Sequence, residues 1–117
     1  MTHPDGASRL GSFEVDPWPR WGFRLANGIR VTQDIFVPRG AAQVVISWKI
    51  GRRLPGMTLF VRPFLSGRDA HALHRANPAF RFDATERPGR VAWRPYADVP
   101  GVIAFTDGAY RHSPEWY

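Results

Sequence analysis

A chain of 117 residues with 44% apolar and 22% charged side chains has the composition of a folded domain and is too apolar for disorder. It has no cysteine, which excludes disulfides and thiolate metal sites, and its longest apolar run falls far short of the roughly 20 residues that a membrane-spanning helix needs. The net charge of +6 comes almost wholly from arginine, since Lys49 is the only lysine. The arginines are dispersed, with Arg52-Arg53 the only adjacent pair, so the charge argues against a dedicated nucleic-acid surface.

The N-terminus, Met1-Thr-His-Pro-Asp-Gly6, carries no basic-plus-apolar signal pattern. Together with the missing cysteines this gives the expectation of a cytoplasmic protein whose residues 1–9 fray and whose residues 10–117 form a single domain. Beyond Phe13-Glu-Val15 the periodicity is two. Arg20 to Leu25 alternates, Asn27-Gly28 is a strong hairpin signal because both positions accept positive φ, and Ile29 to Val37 runs back. Ala42 to Ile50 is the next expected strand, closed by the Gly51 to Gly56 turn. Met57 to Leu65 follows, with Pro63 marking an edge or bulge. One short helical turn is expected over 68–76, stopped by Asn77-Pro78. Strands are then expected over Phe80–Ala84, Arg90–Arg94 and Val102–Thr106, with a Glu86 to Gly89 turn. Short strands at regular spacing with Gly/Pro turns read as an all-β, antiparallel β-sandwich. The two terminal aromatics, Trp116 and Tyr117, have nothing after them, the pattern of a piece of a larger β-domain.

Several segments taken in order resemble the N-terminal domain of bacterial and archaeal glycogen debranching enzymes, the amylo-α-1,6-glucosidase family. They are Asp16-Pro-Trp-Pro-Arg-Trp-Gly-Phe23, Gly28-Ile-Arg-Val-Thr-Gln-Asp-Ile-Phe36 and Val44-Val-Ile-Ser-Trp48. Leu59-Phe-Val-Arg-Pro-Phe-Leu-Ser-Gly-Arg-Asp-Ala-His71, Asn77-Pro-Ala-Phe80, Arg94-Pro-Tyr96 and Asp107-Gly-Ala-Tyr110 with Trp116-Tyr117 complete the series. No single piece is diagnostic; the ordered set, above all Arg-Pro-x-x-Ser-x-Arg-Asp-x-His followed by Asn-Pro-x-Phe, is fairly specific. The similarity runs from about Leu10 to Tyr117 and corresponds to the central part of that domain. It implies a supersandwich-like fragment that precedes an (α/α)6-barrel catalytic domain, in an enzyme that hydrolyses α-1,6 branches of glycogen-like glucans. The family's catalytic carboxylates lie in that barrel, so the resemblance implies a scaffold role for this chain, no hydrolase activity of its own, and the barrel as partner.

The residues themselves agree with a non-catalytic reading. Glycoside hydrolysis needs two carboxyls about 5 to 10 Å apart, whereas most acids here fall in turns or on polar strand faces. Arg68, Asp69 and His71 suit sugar hydroxyls, but equally a structural cluster in which Asp69 caps the following turn, or an interface with a catalytic domain. His71 and His74 with Asp69 form a poor zinc set, and no metal or cofactor is expected. Of five tryptophans, Trp21, Trp48 and Trp93 sit within alternating strands and read as core, whereas Trp18 and Trp116 are the candidates for exposure to a sugar ring or a partner. The expected partners are therefore the barrel domain, glycogen or a maltooligosaccharide, and a second copy of the chain through unpaired sheet edges. Neither a membrane nor nucleic acid is among them. A free-standing carbohydrate-binding module, and a small basic barrel that binds single-stranded nucleic acid, are the alternative functions.

Overall fold

The computed structural model describes residues 6–68, 71, 73 and 75–116. The chain divides into two compact units, Met1–Leu59 and Phe60–Tyr117, each with its own antiparallel sheet. The protein is nearly all β, as its alternation implied. Its one helix among the described residues is α1, Gly6–Arg9, at the N-terminus. The expected turn over 68–76 is not helical where it is described, with a bend at Arg68 and a turn at His71; residues 69, 70, 72 and 74 lie outside the described residues.

The first unit is a four-stranded meander of β1 (Leu10–Glu14), β2 (Arg20–Arg24), β3 (Arg30–Phe36) and β4 (Val45–Ile50), in that spatial order. Its register sorts most apolar side chains from most polar ones. Phe13, Trp21, Phe23, Val31, Ile35, Ile46, Trp48 and Ile50 fall on one face, with Gln33 among them, and Glu14, Arg20, Arg24, Arg30, Thr32, Asp34, Ser47 and Lys49 on the other, which Phe36 and Val45 join at its end. The β2–β3 connection is one residue longer than a two-residue Asn27-Gly28 turn. Leu25 pairs with Ile29, the Gly28 amide donates to the Leu25 carbonyl at 2.9 Å, and Gly28 alone supplies the left-handed position, with φ at 77°. That is a three-residue loop with the glycine at its bulge. Asn27 contributes through its side chain instead, its Oδ1 accepting from the Ile29 amide at 3.2 Å. Ile29, folded under this hairpin, is only 4% exposed.

The second unit holds β5 (Ala84–Arg87), β6 (Arg90–Trp93) and β7 (Val102–Phe105), in that order. The β5–β6 turn is the pair Pro88-Gly89, with φ of 69° at Gly89. Glu86 and Arg87 therefore belong to the strand and not to the turn. The β6–β7 connection is pinned by Arg94, whose guanidinium donates to the Val99 and Ala97 carbonyls at 3.2 and 2.8 Å. Val91, at the centre of the sheet, is 2% exposed.

Two expected strands are corrected. Met57–Leu65 joins no ladder among the described residues, and Phe60 is 83% exposed. Pro63 cannot donate to a ladder and the Pro55-Gly56 turn, closed by the Met57 amide on the Leu54 carbonyl, already redirects the chain. Phe80–Ala84 contributes only Ala84 to a strand; Phe80 and Phe82 point into an aromatic cluster described below. The tryptophans expected as core, Trp21, Trp48 and Trp93, are half-buried. A unit of roughly sixty residues buries only about 60% of the surface its unfolded chain exposes, which leaves large rings partly in solvent.

Candidate functional site: an aromatic cluster built from turns

The site starts from a glycine. Gly67 adopts φ of 56°, a conformation that side chains resist, and lays its backbone against the ring of Pro95 and the edge of Tyr96. A Cβ at Gly67 would stand 2.7 Å from Pro95 Cγ and 3.3 Å from a Tyr96 ring carbon. Pro95 is buried, and its carbonyl accepts from the Arg81 amide at 2.8 Å. The chain thus brings 66–68, 80–82 and 95–96 together without a sheet ladder.

Asn77 ties the next strand of this knot. Its Oδ1 accepts from the Ala79 amide at 3.1 Å and its carbonyl from the Phe80 amide at 3.3 Å, so one residue caps a complete turn. Its Nδ2 donates to the Arg75 carbonyl at 3.2 Å and to the Tyr96 hydroxyl at 2.8 Å. Pro78 fits because this turn needs no amide from it. The turn delivers Phe80 among the rings of Phe82, Tyr96 and Trp116. Its centroid lies 4.9 Å from Phe82, 5.5 Å from Tyr96 edge-on, and 4.7 Å from Trp116 edge-on. Trp116 is also edge-on to Phe82, at 6.2 Å. The C-terminal segment that brings it there carries Glu115, paired with Arg62 at 3.3 Å on the surface.

Beside the cluster, Trp93 donates from Nε1 to the Tyr110 hydroxyl at 3.3 Å, and that hydroxyl shares a second hydrogen bond with His112 Nδ1 at 2.8 Å. Tyr110 is edge-on to Trp93 at 5.8 Å.

Of the five residues singled out from the sequence, Trp116 stands in the cluster and is exposed over part of its ring. Arg68 and His71 are exposed on the segment that leaves Gly67. Asp69, and with it the proposed cap of the following turn, lies outside the described residues, as does the His74 of the zinc set. Trp18 belongs to the first unit. It packs on Phe36 at 5.4 Å, is partly exposed, and makes a minor contribution that favours the charged Asp34. Asp34 is held chiefly by Arg20, whose Nε donates to Oδ1 at 2.6 Å. That hydrogen bond draws the Asp34 carboxyl below its ordinary range, against partial burial that pushes it up, and raises the Arg20 guanidinium in turn. Sequence reasoning missed Phe80, Phe82, Tyr96 and Asn77 as one group. The signal was present in the order of the motifs and absent from their periodicity.

Four of the seven segments that carry the sequence resemblance reach this cluster or its surroundings, through Arg62 to Arg68, Asn77 to Phe80, Arg94 to Tyr96, Tyr110 and Trp116; the other three lie in the four-stranded sheet. A family model described as glycogen debranching enzyme N terminal matches residues 1–117. The chain belongs to this family. The match includes the first nine residues, which the resemblance had left out. No match was found among curated proteins or among solved structures. For a debranching-enzyme N-terminal chain, the cluster offers a partly exposed indole backed by phenyl rings, with amide, hydroxyl and guanidinium groups nearby. Such a surface suits a flat apolar ring face with hydroxyls at its rim.

Proposed function

We propose that this chain is a non-catalytic module of a glycogen debranching enzyme, which packs beside an (α/α)6-barrel catalytic domain and presents the Phe80–Trp116 cluster to an approaching glucan. The observation that carries the reading is the convergence of the motifs of the second unit on one aromatic cluster, not on a pair of carboxylates. Edge-on rings hold Trp116 in place, so its exposed face meets a pyranose with little ordering left to do. Arg68 and His71, exposed on the adjoining segment, supply hydrogen bonds to hydroxyls or to the barrel surface. Two assays on the chain alone test this. A reducing-sugar assay on branched limit dextrin should show no turnover. Maltooligosaccharide at millimolar concentration should quench tryptophan fluorescence, and Trp116→Ala should abolish the quench. Turnover refutes the non-catalytic role, and an unaltered quench in the variant refutes the assignment to Trp116.

A specific observation also favours self-association. β7 pairs only with β6 among the described residues, carries no charged side chain over Val102–Phe105, and leaves Phe105 78% exposed. Uncharged free edges recruit further strands. Sedimentation of the chain should show a dimer that Phe105→Lys dissociates; a monodisperse monomer contradicts edge pairing.

A further inference from the structure

The polar face of the four-stranded sheet is sorted by charge along its strands. Glu14, Arg20 and Asp34 stand towards one end, where Arg20 and Asp34 pair. Arg24, Arg30 and Lys49 stand towards the other, with Arg52 just past β4. The acids of this unit among the described residues are Glu14, Asp16 and Asp34, and all belong to the first end. The cations at the second end take part in no ion pair among the described residues.

Arg24 and Arg30 are direct cross-strand partners, a register that sets Cβ atoms about 4.5–5.5 Å apart and in which like charges destabilise the sheet. The other such pair, Arg87 and Arg90, flanks the Pro88-Gly89 turn, where the Thr106 amide donates to the Gly89 carbonyl. Next to Arg30 in its row stands Gly51, whose amide donates to the Arg30 carbonyl at 2.8 Å. A Cβ on Gly51 would sit 3.7 Å from the Arg30 Cβ, on the same side of the sheet. Without it a hollow of about 280 Å³ opens, bordered by Arg30, Gly51, Arg52 and the Asn27–Ile29 turn.

We propose that this hollow is a binding site for a phosphate-type dianion, held by Arg30 and Arg52 with Arg24 and Lys49 beside them. Guanidinium forks match the oxygens of a tetrahedral anion in pairs. Several cations without an acid call for more than the single charge of a carboxylate. The hollow is below the size of pockets that take drug-sized ligands and suits one compact group with its water. The anion also relieves the Arg24–Arg30 repulsion, so binding and local stability rise together. Free phosphate and a phosphate ester on a larger molecule share this chemistry. The inference rests on the first unit alone and is independent of the glucan reading.

Thermal unfolding of the whole chain in inorganic phosphate and in chloride at matched ionic strength tests it. Phosphate should raise Tm saturably above the chloride value, because a ligand that binds only the folded state stabilises it. Arg24→Gln with Arg30→Gln should start from a higher Tm at low salt, the repulsive pair having gone, and lose the phosphate-specific rise. Gly51→Ala, which keeps every charge but fills the hollow, should weaken phosphate binding by about tenfold. Equal Tm in phosphate and chloride, or an undiminished rise in the double variant, overturns the site. Glycerol phosphate in place of the free ion separates the sources: tighter binding of the ester assigns the site to a carried phosphate, and weaker binding to the free ion. Preference for a single-stranded oligonucleotide over both, with affinity falling steeply in salt, overturns the small-anion assignment.

Discussion

The four-stranded sheet and the aromatic cluster of the second unit are held by different physics. In the sheet, consecutive strands pair with their sequence neighbours, and every second side chain from Phe13 to Ile50 goes to one face. Its order follows from pattern and short turns, and no one side chain carries it. The cluster has no such redundancy. It depends on Gly67 reaching a positive φ against Pro95, on Asn77 hydrogen-bonding through both its side chain and its carbonyl, and on Phe80 meeting the rings of Phe82, Tyr96 and Trp116. Pattern tolerates substitution, whereas a knot of turns does not, and the segments that mark the family run through both regions.

Substitutions that act on one region and spare the other sharpen this contrast. Gly67→Ala should have the largest effect, about 3 kcal/mol, from left-handed strain together with forced displacement of Pro95. Denaturant unfolding gives the magnitude, and amide exchange should show lost protection over β5–β7 with β2–β3 unchanged. Ile29→Ala should cost about 2–3 kcal/mol, at the low end for a buried aliphatic because a hairpin end can relax, with the opposite exchange pattern. Equal loss across both sheets in either variant would break the contrast. Asn77→Ala should cost about 1–1.5 kcal/mol, since the surface turn can recruit water for part of what it loses. Asn77→Asp, which keeps the Oδ1 acceptor for Ala79 but not the donor to Tyr96, should cost less than Asn77→Ala.

The smallest expected effect is pH-dependent. The folded-state pKa of Asp34 is lowered, mainly by the hydrogen bond from Arg20. Its contribution is therefore complete above the unfolded carboxyl value of about 3.9 and is lost as pH falls through the lower, folded-state value. Tm against pH for the chain and for Asp34→Asn should run apart at neutral pH and converge below about pH 4. A gap that persists in acid would assign Asp34 a role other than its charge.

The same contrast decides what could be read in the sequence. β2, β3, β4, β6 and β7 were legible because alternation and Gly/Pro turns are local signals. The family was legible from the order of its motifs. Met57–Leu65, read as an apolar strand, and Phe80–Phe82, which alternates, enter no ladder among the described residues, because an apolar or alternating pattern states that a segment has surface to bury and not what will cover it. Arg62 is taken by Glu115, and Phe80 by rings from residues 96 and 116. The four residues of α1 were invisible for want of any periodicity at that length. The role of Tyr96 was hidden for another reason: its partner Asn77 lies nineteen residues away, and nothing in the spacing joins them.

The indole N–H resonances of the five tryptophans, followed by NMR while maltohexaose is added, test the central claim most directly. If the cluster is the surface that meets glucan, the Trp116 signal shifts in a saturable way together with the amides of Phe80 and Phe82, while Trp18, Trp21 and Trp48 stay in place. A shift at Trp18 or Trp48 with Trp116 unmoved would contradict it.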